Sequence, residues 1–420
     1  MRIKKFIAGL LALGIAASAP FQIPVSAAEE TAETADTADN ASAISTNSIA
    51  GWPQGPDITS TAAIVMEDST NTILYAKNMD QPLYPGSAVK IMTTLLALEN
   101  ASLDDQVTMT ATGVSGVTDG GANISAQLDE VFTMEQCLYA IMLASANDIA
   151  LQVAEHIGGS VEAFVEKMNA RAQELGCTNT VFTNPTGLPD ENQHITAHDM
   201  ALIMQAAIDN ADFRTIASAA SYTIPATNVS GGARALTNNF TMLKSTDASY
   251  YQGCLGGKEG YTEASASTLA TAAERNGIIL ISVVLQGASG QTYNEAITTL
   301  DYGFNNFQKL SLGENDFNLI SGGTVIIPNT ATEADVAAQD TEADGEIARQ
   351  YYFGGTPVGT ATLMANQEQD NSIAVEGEAN LKAAQDFSAN KSAGMYYVIG
   401  GIGAALLLLL IFLMVKVIKS

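Results

Sequence analysis

Cations are scarce in this chain of 420 residues. Only 18 Lys and Arg stand against 45 Asp and Glu, and the formal net charge is −27. Because nucleic acids are held by cations that displace counterions, this composition argues against a nucleic-acid-binding protein. Charged residues make up 15% of the chain and hydrophobic residues 47%, which excludes disorder throughout and allows a large core.

Cysteine is also rare, with Cys137, Cys177 and Cys254 spaced widely. An odd number at this spacing matches neither a zinc pattern nor a disulfide framework, so we expect free and mostly buried thiols, with a single bridge as the alternative.

His194 and His198 are four residues apart, as zinc ligands can be. No carboxylate or third ligand accompanies them in the required pattern, and we predict no metal site.

The two ends of the chain indicate export and membrane attachment. Residues 1–28 combine a basic start, an apolar stretch and small residues at 26–28, which predicts a signal peptide. Residues 395–415 carry no charge and are long enough to cross about 30 Å of hydrocarbon, although a buried core helix is the alternative. Lysines in the tail 416–420 predict a cytoplasmic C-terminus, so we expect a single-pass cell-membrane protein with its main part outside.

Three segments are acidic and poor in large apolar residues. Residues 29–55 predict a flexible leader and residues 367–394 a linker before the membrane, because neither can offset its ordering entropy. The third run, residues 332–346, predicts a long loop. Residues 56–310 form the main predicted domain.

This main domain is predicted to be α+β, because strands at both ends enclose a series of helices. Residues 61–67 and 72–77 predict a hairpin, and Asn276-Gly277 predicts a second one between 268–274 and 278–285. We expect an antiparallel sheet flanked by helices. The predicted helices are residues 87–99, 133–144, 160–175 and 196–209.

Ser87 and Lys90 lie three residues apart at the start of the predicted helix 87–99, so hydroxyl and amine share one face. Such a pair can be a nucleophile and its base. Lys90 can act as a base near neutral pH only if burial and neighbouring cations lower its pKa from about 10.4, at a cost of about 4 kcal/mol. Alone, this spacing is also typical of an exposed helix start.

Two further motifs make the pair more specific. Ser145 and Asn147 form a Ser-x-Asn motif between two apolar helices, where a short loop can present both side chains to a cleft. Lys258 and Gly260 form a Lys-x-Gly motif before the last hairpin, where a strand can hold the cation beside the nucleophile and glycine admits a substrate backbone. These three motifs, in this order, occur in penicillin-binding proteins and class A β-lactamases.

The chain resembles the serine-type D-alanyl-D-alanine carboxypeptidases, the low-molecular-mass penicillin-binding proteins. Residues 84–93 are similar to the family's active-site segment almost letter for letter. The resemblance covers about residues 58–307 and, more loosely, implies a small β-rich domain over 311–366. Further similar stretches are residues 184–189, 196–200, 260–262 and 301–304.

This resemblance implies a β-lactamase-like transpeptidase fold and acylation of Ser87 by peptidoglycan stem peptides that end in D-Ala-D-Ala. D-alanine would leave, water would hydrolyse the acyl-enzyme, and β-lactams would inhibit. Lys90 would be the base and Ser145 would pass a proton to the leaving amine. The resemblance implies no metal or organic cofactor.

The resemblance also assigns binding roles. Asn147 would hold the acyl peptide, and Lys258 would keep the cleft positive for the terminal carboxylate of the substrate. Gly260 and Thr262 are further candidate substrate-binding residues. The backbone N–H groups of Ser87 and of a residue after Gly260 would form the oxyanion hole.

Glu259 departs from the family pattern, which has Thr or Ser between the Lys and Gly of the third motif. A carboxylate about 4 Å from the substrate carboxylate would cost about 4 kcal/mol, but strand alternation would turn Glu259 away from the face of Lys258. No arginine stands between Arg275 and Arg349, where relatives often place a carboxylate-binding cation. The alternative functions are therefore an impaired penicillin-binding scaffold or sensor and, less favoured without a suitable loop carboxylate, a β-lactamase.

Overall fold

The computed structural model describes residues 43–117, 121–312, 318–343 and 346–364. The predicted signal peptide 1–28, linker 367–394, membrane span 395–415 and tail 416–420 lie outside the described residues. Within the described ranges, no helix is long and apolar enough to cross a membrane.

The elements of the described ranges, in chain order, are as follows. The helices are α1 (Val89–Asn100), α2 (Ala111–Ser115), α3 (Met134–Ala144), α4 (Asn147–Gly158), α5 (Val161–Glu174), α6 (Ala197–Asp209), α7 (Ala211–Ser218) and α8 (Thr292–Asn306). The strands are β1 (Ala62–Glu67), β2 (Ile73–Lys77), β3 (Gln106–Thr108), β4 (Val131–Thr133), β5 (Ser221–Ile224), β6 (Arg234–Thr237), β7 (Cys254–Thr262), β8 (Ala266–Arg275), β9 (Ile278–Gly287), β10 (Phe307–Ser311), β11 (Leu319–Gly322), β12 (Thr324–Pro328), β13 (Ala337–Ala343), β14 (Glu346–Phe353) and β15 (Thr356–Met364).

The main sheet is antiparallel and has the strand order β2-β1-β9-β8-β7, which leaves β7 at an edge. Both predicted hairpins are confirmed. Asn276 and Gly277 join β8 to β9 with φ angles of 54° and 76°, the left-handed values that a two-residue turn of this kind requires. The α+β fold predicted from the sequence is therefore correct.

Both faces of the sheet are buried, which explains why residues 62–66 of β1 are all apolar. Ile64 and Met66 face a core shared with α1, α3 and α6, whereas Ala63 and Val65 face a second core that includes residues of α8. Side chains alternate between the faces of a strand, so one apolar strand can supply both cores. The sheet thus separates a large helical layer from α8.

The predicted helix starts are confirmed by their caps. Thr133 and Gln136 form a full capping box at α3, and the Ser160 and Thr196 side chains accept hydrogen bonds at the starts of α5 and α6. The helix predicted over 87–99 begins as a 3-10 turn, Gly86–Ala88, and continues as α1.

The flexible leader predicted over 29–55 is wrong for residues 43–55, which are folded against the main domain. Trp52 is 4% exposed, its indole Nε1 donates a hydrogen bond to the carbonyl of Leu74 at 2.9 Å, and its ring contacts Phe307 and Phe353. Burying one indole removes about 150–250 Å² of surface from water, which offsets the ordering of a short polar segment. Ile44 and Thr46 are buried in the same segment, and the acidic composition of residues 29–55 gave no indication of these contacts.

The loop predicted over 332–346 is also wrong, because β13 and the first residue of β14 lie in it. These strands pair in register within a sheet of order β11-β15-β14-β13, so a small β-rich unit follows the main domain as expected. Asp340 and Arg349 sit opposite each other and form an ion pair at 2.7 Å. The side chains described on β13 are exposed, and acidic side chains on an edge strand are compatible with pairing on its other side.

Candidate active site

The β7 edge of the main sheet holds the backbone before α1. Gly86 has a φ of 54°, and the Thr268 hydroxyl on β8 donates a hydrogen bond to the carbonyl of Pro85 at 3.0 Å. Gly260 lies directly against Ser87: a Cβ at position 260 would be 3.1 Å from Ser87 Cα and closer still to Ser87 N. This packing fixes Ser87 in the turn just before the start of α1, beside β7.

Lys90 lies one turn along from Ser87, as the spacing predicted. Its Nζ is 3.2 Å from Ser87 Oγ and donates a hydrogen bond to the Thr186 carbonyl at 2.6 Å. Burial, followed by the charge of Lys258, holds the pKa of Lys90 well below its ordinary value. A buried amine of this kind can accept the proton of the Ser87 hydroxyl.

Ser145 approaches the same hydroxyl from the helical layer. It ends α3 in the left-handed conformation, with a φ of 58°, and this turns the chain into α4. Its Oγ is 3.2 Å from Ser87 Oγ. Ser87 therefore has an amine and a second hydroxyl at equal distance.

Lys258 is buried on β7 and faces the helical layer with Gly260. Its register partner on β8, Ala270, belongs to the core beneath α1. The Lys258 amine donates a hydrogen bond to the Glu259 carbonyl at 3.1 Å, and burial lowers the pKa of Lys258 to about 8 against the opposing effect of Glu259.

Ser87, Ser145, Lys258 and Gly260 line one open cavity of about 380 Å³. This volume suits a small peptide segment or a drug-sized ligand. Other residues in its wall are Ala122, Asn239, Glu259, Tyr261, Ser267, Thr268, Ser289, Gly290, Thr292 and Tyr293.

A family model described as D-alanyl-D-alanine carboxypeptidase, peptidase S11, matches residues 49–289, more than half of the chain. The chain belongs to this family. The family activity is that of a serine D-Ala-D-Ala carboxypeptidase, and the three motifs lie within the matched residues.

Individual relatives agree with this assignment. D-alanyl-D-alanine carboxypeptidase DacB2 of Mycobacterium tuberculosis is 33% identical over 261 residues, which are 60% of this chain and 84% of that protein. D-alanyl-D-alanine carboxypeptidase DacF of Bacillus subtilis is 32% identical over 253 residues, but the match spans only 62% of that protein and 59% of this chain.

Solved structures show the same carboxypeptidase fold. Penicillin binding protein 5 from Haemophilus influenzae aligns with a TM-score of 0.63 and 26% identity, over 75% of this chain and 98% of that one. The D-alanyl-D-alanine carboxypeptidase from Mycobacterium tuberculosis aligns with a TM-score of 0.56 and 30% identity, over 61% of this chain and 95% of that one. The fold is therefore transpeptidase-like, with the antiparallel sheet, its helices and the β-rich C-terminal unit.

Three of the predicted carboxypeptidase site residues are not among the described residues that line the cavity. One is Lys90, which is fully buried and contacts the Ser87 hydroxyl in the cavity wall. Asn147 is 4% exposed at the start of α4, its N–H donates to the Ala122 carbonyl at 2.7 Å, and its Oδ1 has no partner among the described residues. The Thr262 hydroxyl interacts with the Ser265 hydroxyl at 2.9 Å inside the β7–β8 turn. Asn147 adjoins the cavity through Ala122, whereas Thr262 stabilises the turn.

The sequence offered two positions for Glu259, facing the substrate carboxylate or turned away from it, and the structure combines parts of both. Its register partner Leu269 belongs to the core on the α8 side, so its side chain leaves the face of Lys258 as strand alternation predicted. Yet Glu259 still lines the cavity, because β7 is an edge strand and the cavity extends around it to the start of α8. There the Tyr293 hydroxyl donates a hydrogen bond to the Glu259 carboxylate at 2.6 Å.

Three further positions were not predicted from the sequence. Thr186 supplies the carbonyl that holds Lys90, Tyr293 binds Glu259, and Asn239 lies in the cavity wall. Thr186 lies in residues 184–189, which resemble a stretch of the family, so this resemblance could have indicated a role for Thr186 in the site. For Tyr293 and Asn239 the sequence contains no comparable signal.

The remaining polar candidates lie outside the site. All three cysteines are unpaired, as expected. His198 is 3.3 Å from Asp80, and no group of three or more His, Cys, Asp and Glu that could hold a metal is found in the described residues.

Proposed function

We propose that this protein is a penicillin-sensitive serine DD-carboxypeptidase that removes the terminal D-alanine from peptidoglycan stem peptides through an acyl-enzyme on Ser87. One observation carries the proposal. The Ser87 hydroxyl lies 3.2 Å from both the Lys90 amine and the Ser145 hydroxyl, in a cavity that also contains Lys258. Family membership supplies the substrate class, D-Ala-D-Ala peptides, and the sensitivity to penicillin.

In acylation, the neutral Lys90 amine takes the proton of Ser87 as Oγ attacks the carbonyl carbon of the penultimate D-alanine. The C–N bond breaks, and the proton held by Lys90 passes through the Ser145 hydroxyl to the nitrogen of the departing D-alanine, which leaves Lys90 neutral again. The backbone N–H groups of Ser87 and Tyr261 hold the carbonyl oxygen as it becomes negative. The low pKa of Lys90 supports its role as the base.

In deacylation, a water molecule gives its proton to the Lys90 amine and attacks the ester carbonyl, and Ser87 leaves with a proton returned to its oxygen. Lys258 attracts the terminal carboxylate of the incoming substrate, because it is the cationic residue in the described cavity wall.

The purified protein should be incubated with a D-Ala-D-Ala peptide and, separately, with labelled penicillin. Free D-alanine and long-lived labelling are expected, and Ser87→Ala should abolish both while the circular dichroism spectrum stays unchanged. Retained labelling in Ser87→Ala would refute the assignment of the nucleophile. No reaction in the wild type would favour the scaffold, and rapid penicillin turnover would favour a β-lactamase.

Membrane attachment is a second part of the proposal, supported by the sequence of residues 1–28 and 395–415. The linker 367–394 then gives the extracytoplasmic domain a reach of about 30 Å from the membrane. A chain that ends at residue 394 should be released from the membrane fraction, whereas the full chain should resist salt and alkaline washes. Release of the full chain by salt would contradict a spanning helix.

A further inference from the structure

The cavity wall contains one potential cation and one carboxylate among the described residues. Lys258 and Glu259 are neighbours on β7, and the other described residues in the wall are uncharged. A substrate carboxylate that enters the cavity is attracted by the Lys258 ammonium group and repelled by the Glu259 carboxylate. The wall therefore has little net charge with which to favour an anionic ligand.

The Glu259 carboxylate is also fixed in place. The Tyr293 hydroxyl donates to it at 2.6 Å and accepts a hydrogen bond from the N–H of Thr241 at 3.4 Å. The ring of Tyr293 packs on Phe240, with their centroids 5.5 Å apart. Glu259 is therefore held in the cavity wall, where a freely rotating side chain could avoid the substrate by turning to solvent.

We propose that Glu259, positioned by Tyr293, determines which leaving groups the enzyme prefers. Acyl donors whose residue after the scissile bond lacks a free carboxylate, such as an amide or a longer peptide, are used at least as well as donors that end in a free D-alanine. The repulsion acts on the leaving residue, because that residue carries the free carboxylate. Ser87 packs against Gly260, on the face of β7 opposite to the Glu259 side chain. This inference rests on the proposed function and names the substrate class of the same site.

Two synthetic peptides test the inference: an acylated L-Lys-D-Ala-D-Ala with a free C-terminus, and the same peptide as its C-terminal carboxamide. The kcat/KM of each is measured by mass spectrometry for the wild type, Glu259→Gln and Tyr293→Phe. Glu259→Gln should raise kcat/KM for the free acid by up to about tenfold, which corresponds to removal of about 1.4 kcal/mol of repulsion, and should leave kcat/KM for the carboxamide unchanged. Tyr293→Phe should change the acid-to-amide ratio of kcat/KM less than Glu259→Gln does, mainly through KM for the free acid.

A matched control lies outside the cavity wall. Tyr222 donates a hydrogen bond to Glu135 at 3.3 Å, so Glu135→Gln removes a carboxylate from a similar pair. This variant should leave the acid-to-amide ratio at the wild-type value. An equal ratio in the wild type and Glu259→Gln would overturn the inference while the proposed function stands. Failure of the wild type to cleave either peptide would overturn both.

Discussion

Replacing Gly260 by Ala should slow acylation about a hundredfold without unfolding the protein. A Cβ at position 260 would lie 2.8 Å from Thr268 Oγ1, 3.1 Å from Ser87 Cα and nearer still to Ser87 N, where ordinary contact begins at 3.4 Å. The backbones of Ser87 and residue 260 must therefore move apart by about 1 Å to restore ordinary contact. Displacements approaching 1 Å cost about a hundredfold in rate, or about 2.7 kcal/mol in the activation barrier.

The assay is the second-order rate constant for labelling by a fluorescent penicillin, with the thermal midpoint measured in parallel. Because the added Cβ clashes with backbone, overpacking should lower the free energy of unfolding by about 1–3 kcal/mol, which leaves the domain folded at the assay temperature. Gly231→Ala is the matched control, because a Cβ there would meet nothing within 4 Å. Labelling of Gly260→Ala within about threefold of the wild type would refute the reasoning that strand packing positions Ser87.

Two other predictions concern charge and the N-terminal segment. Because burial lowers the pKa of Lys258 to about 8, its charge is present below that pH and is lost above it, so kcat/KM for a peptide with a free carboxylate should fall as the pH rises through about 8. Lys258→Arg should move this decline to higher pH, and a flat wild-type profile up to about pH 10 would contradict the assignment. Trp52→Ala should lower the free energy of unfolding in urea by about 3–5 kcal/mol, whereas Tyr250→Ala, at a side chain 44% exposed, should change it little. A loss below about 1 kcal/mol for Trp52→Ala would show that residues 43–55 do not stabilise the domain.

Turn and capping motifs predicted much of the fold correctly. Each depends only on residues close together in the sequence, so the sequence alone is enough to recognise it. The Asn276-Gly277 turn and the capping box of Thr133 and Gln136 each act within four residues, and both occur as predicted. The docking of Trp52 depends on Phe307 and Phe353, which lie more than 250 residues away. No local pattern records such a contact, so composition predicted a flexible leader.

The active site shows the same contrast between local motifs, which the sequence predicts, and long-range contacts, which it does not. Ser87 and Lys90 share a helical turn, so their spacing alone placed them together, and the motif order brought Ser145 and Lys258 to the same cavity. The alternation of side chains along a strand also predicted correctly that Glu259 points away from the face of Lys258. It could not show that the cavity extends around the edge of β7 and reaches Glu259 there. That feature depends on where α8 begins, which only the tertiary structure determines.

The pairing of β9 with both β1 and β8 makes the site depend on distant parts of the chain. Lys258 follows Lys90 by 168 residues, and β9 lies further along still. A chain truncated before β9 would contain Ser87, Lys90 and Lys258 but would lack the strand that joins the first hairpin to β8 and β7. Such a fragment is expected to carry every reactive side chain without the pocket that makes them react.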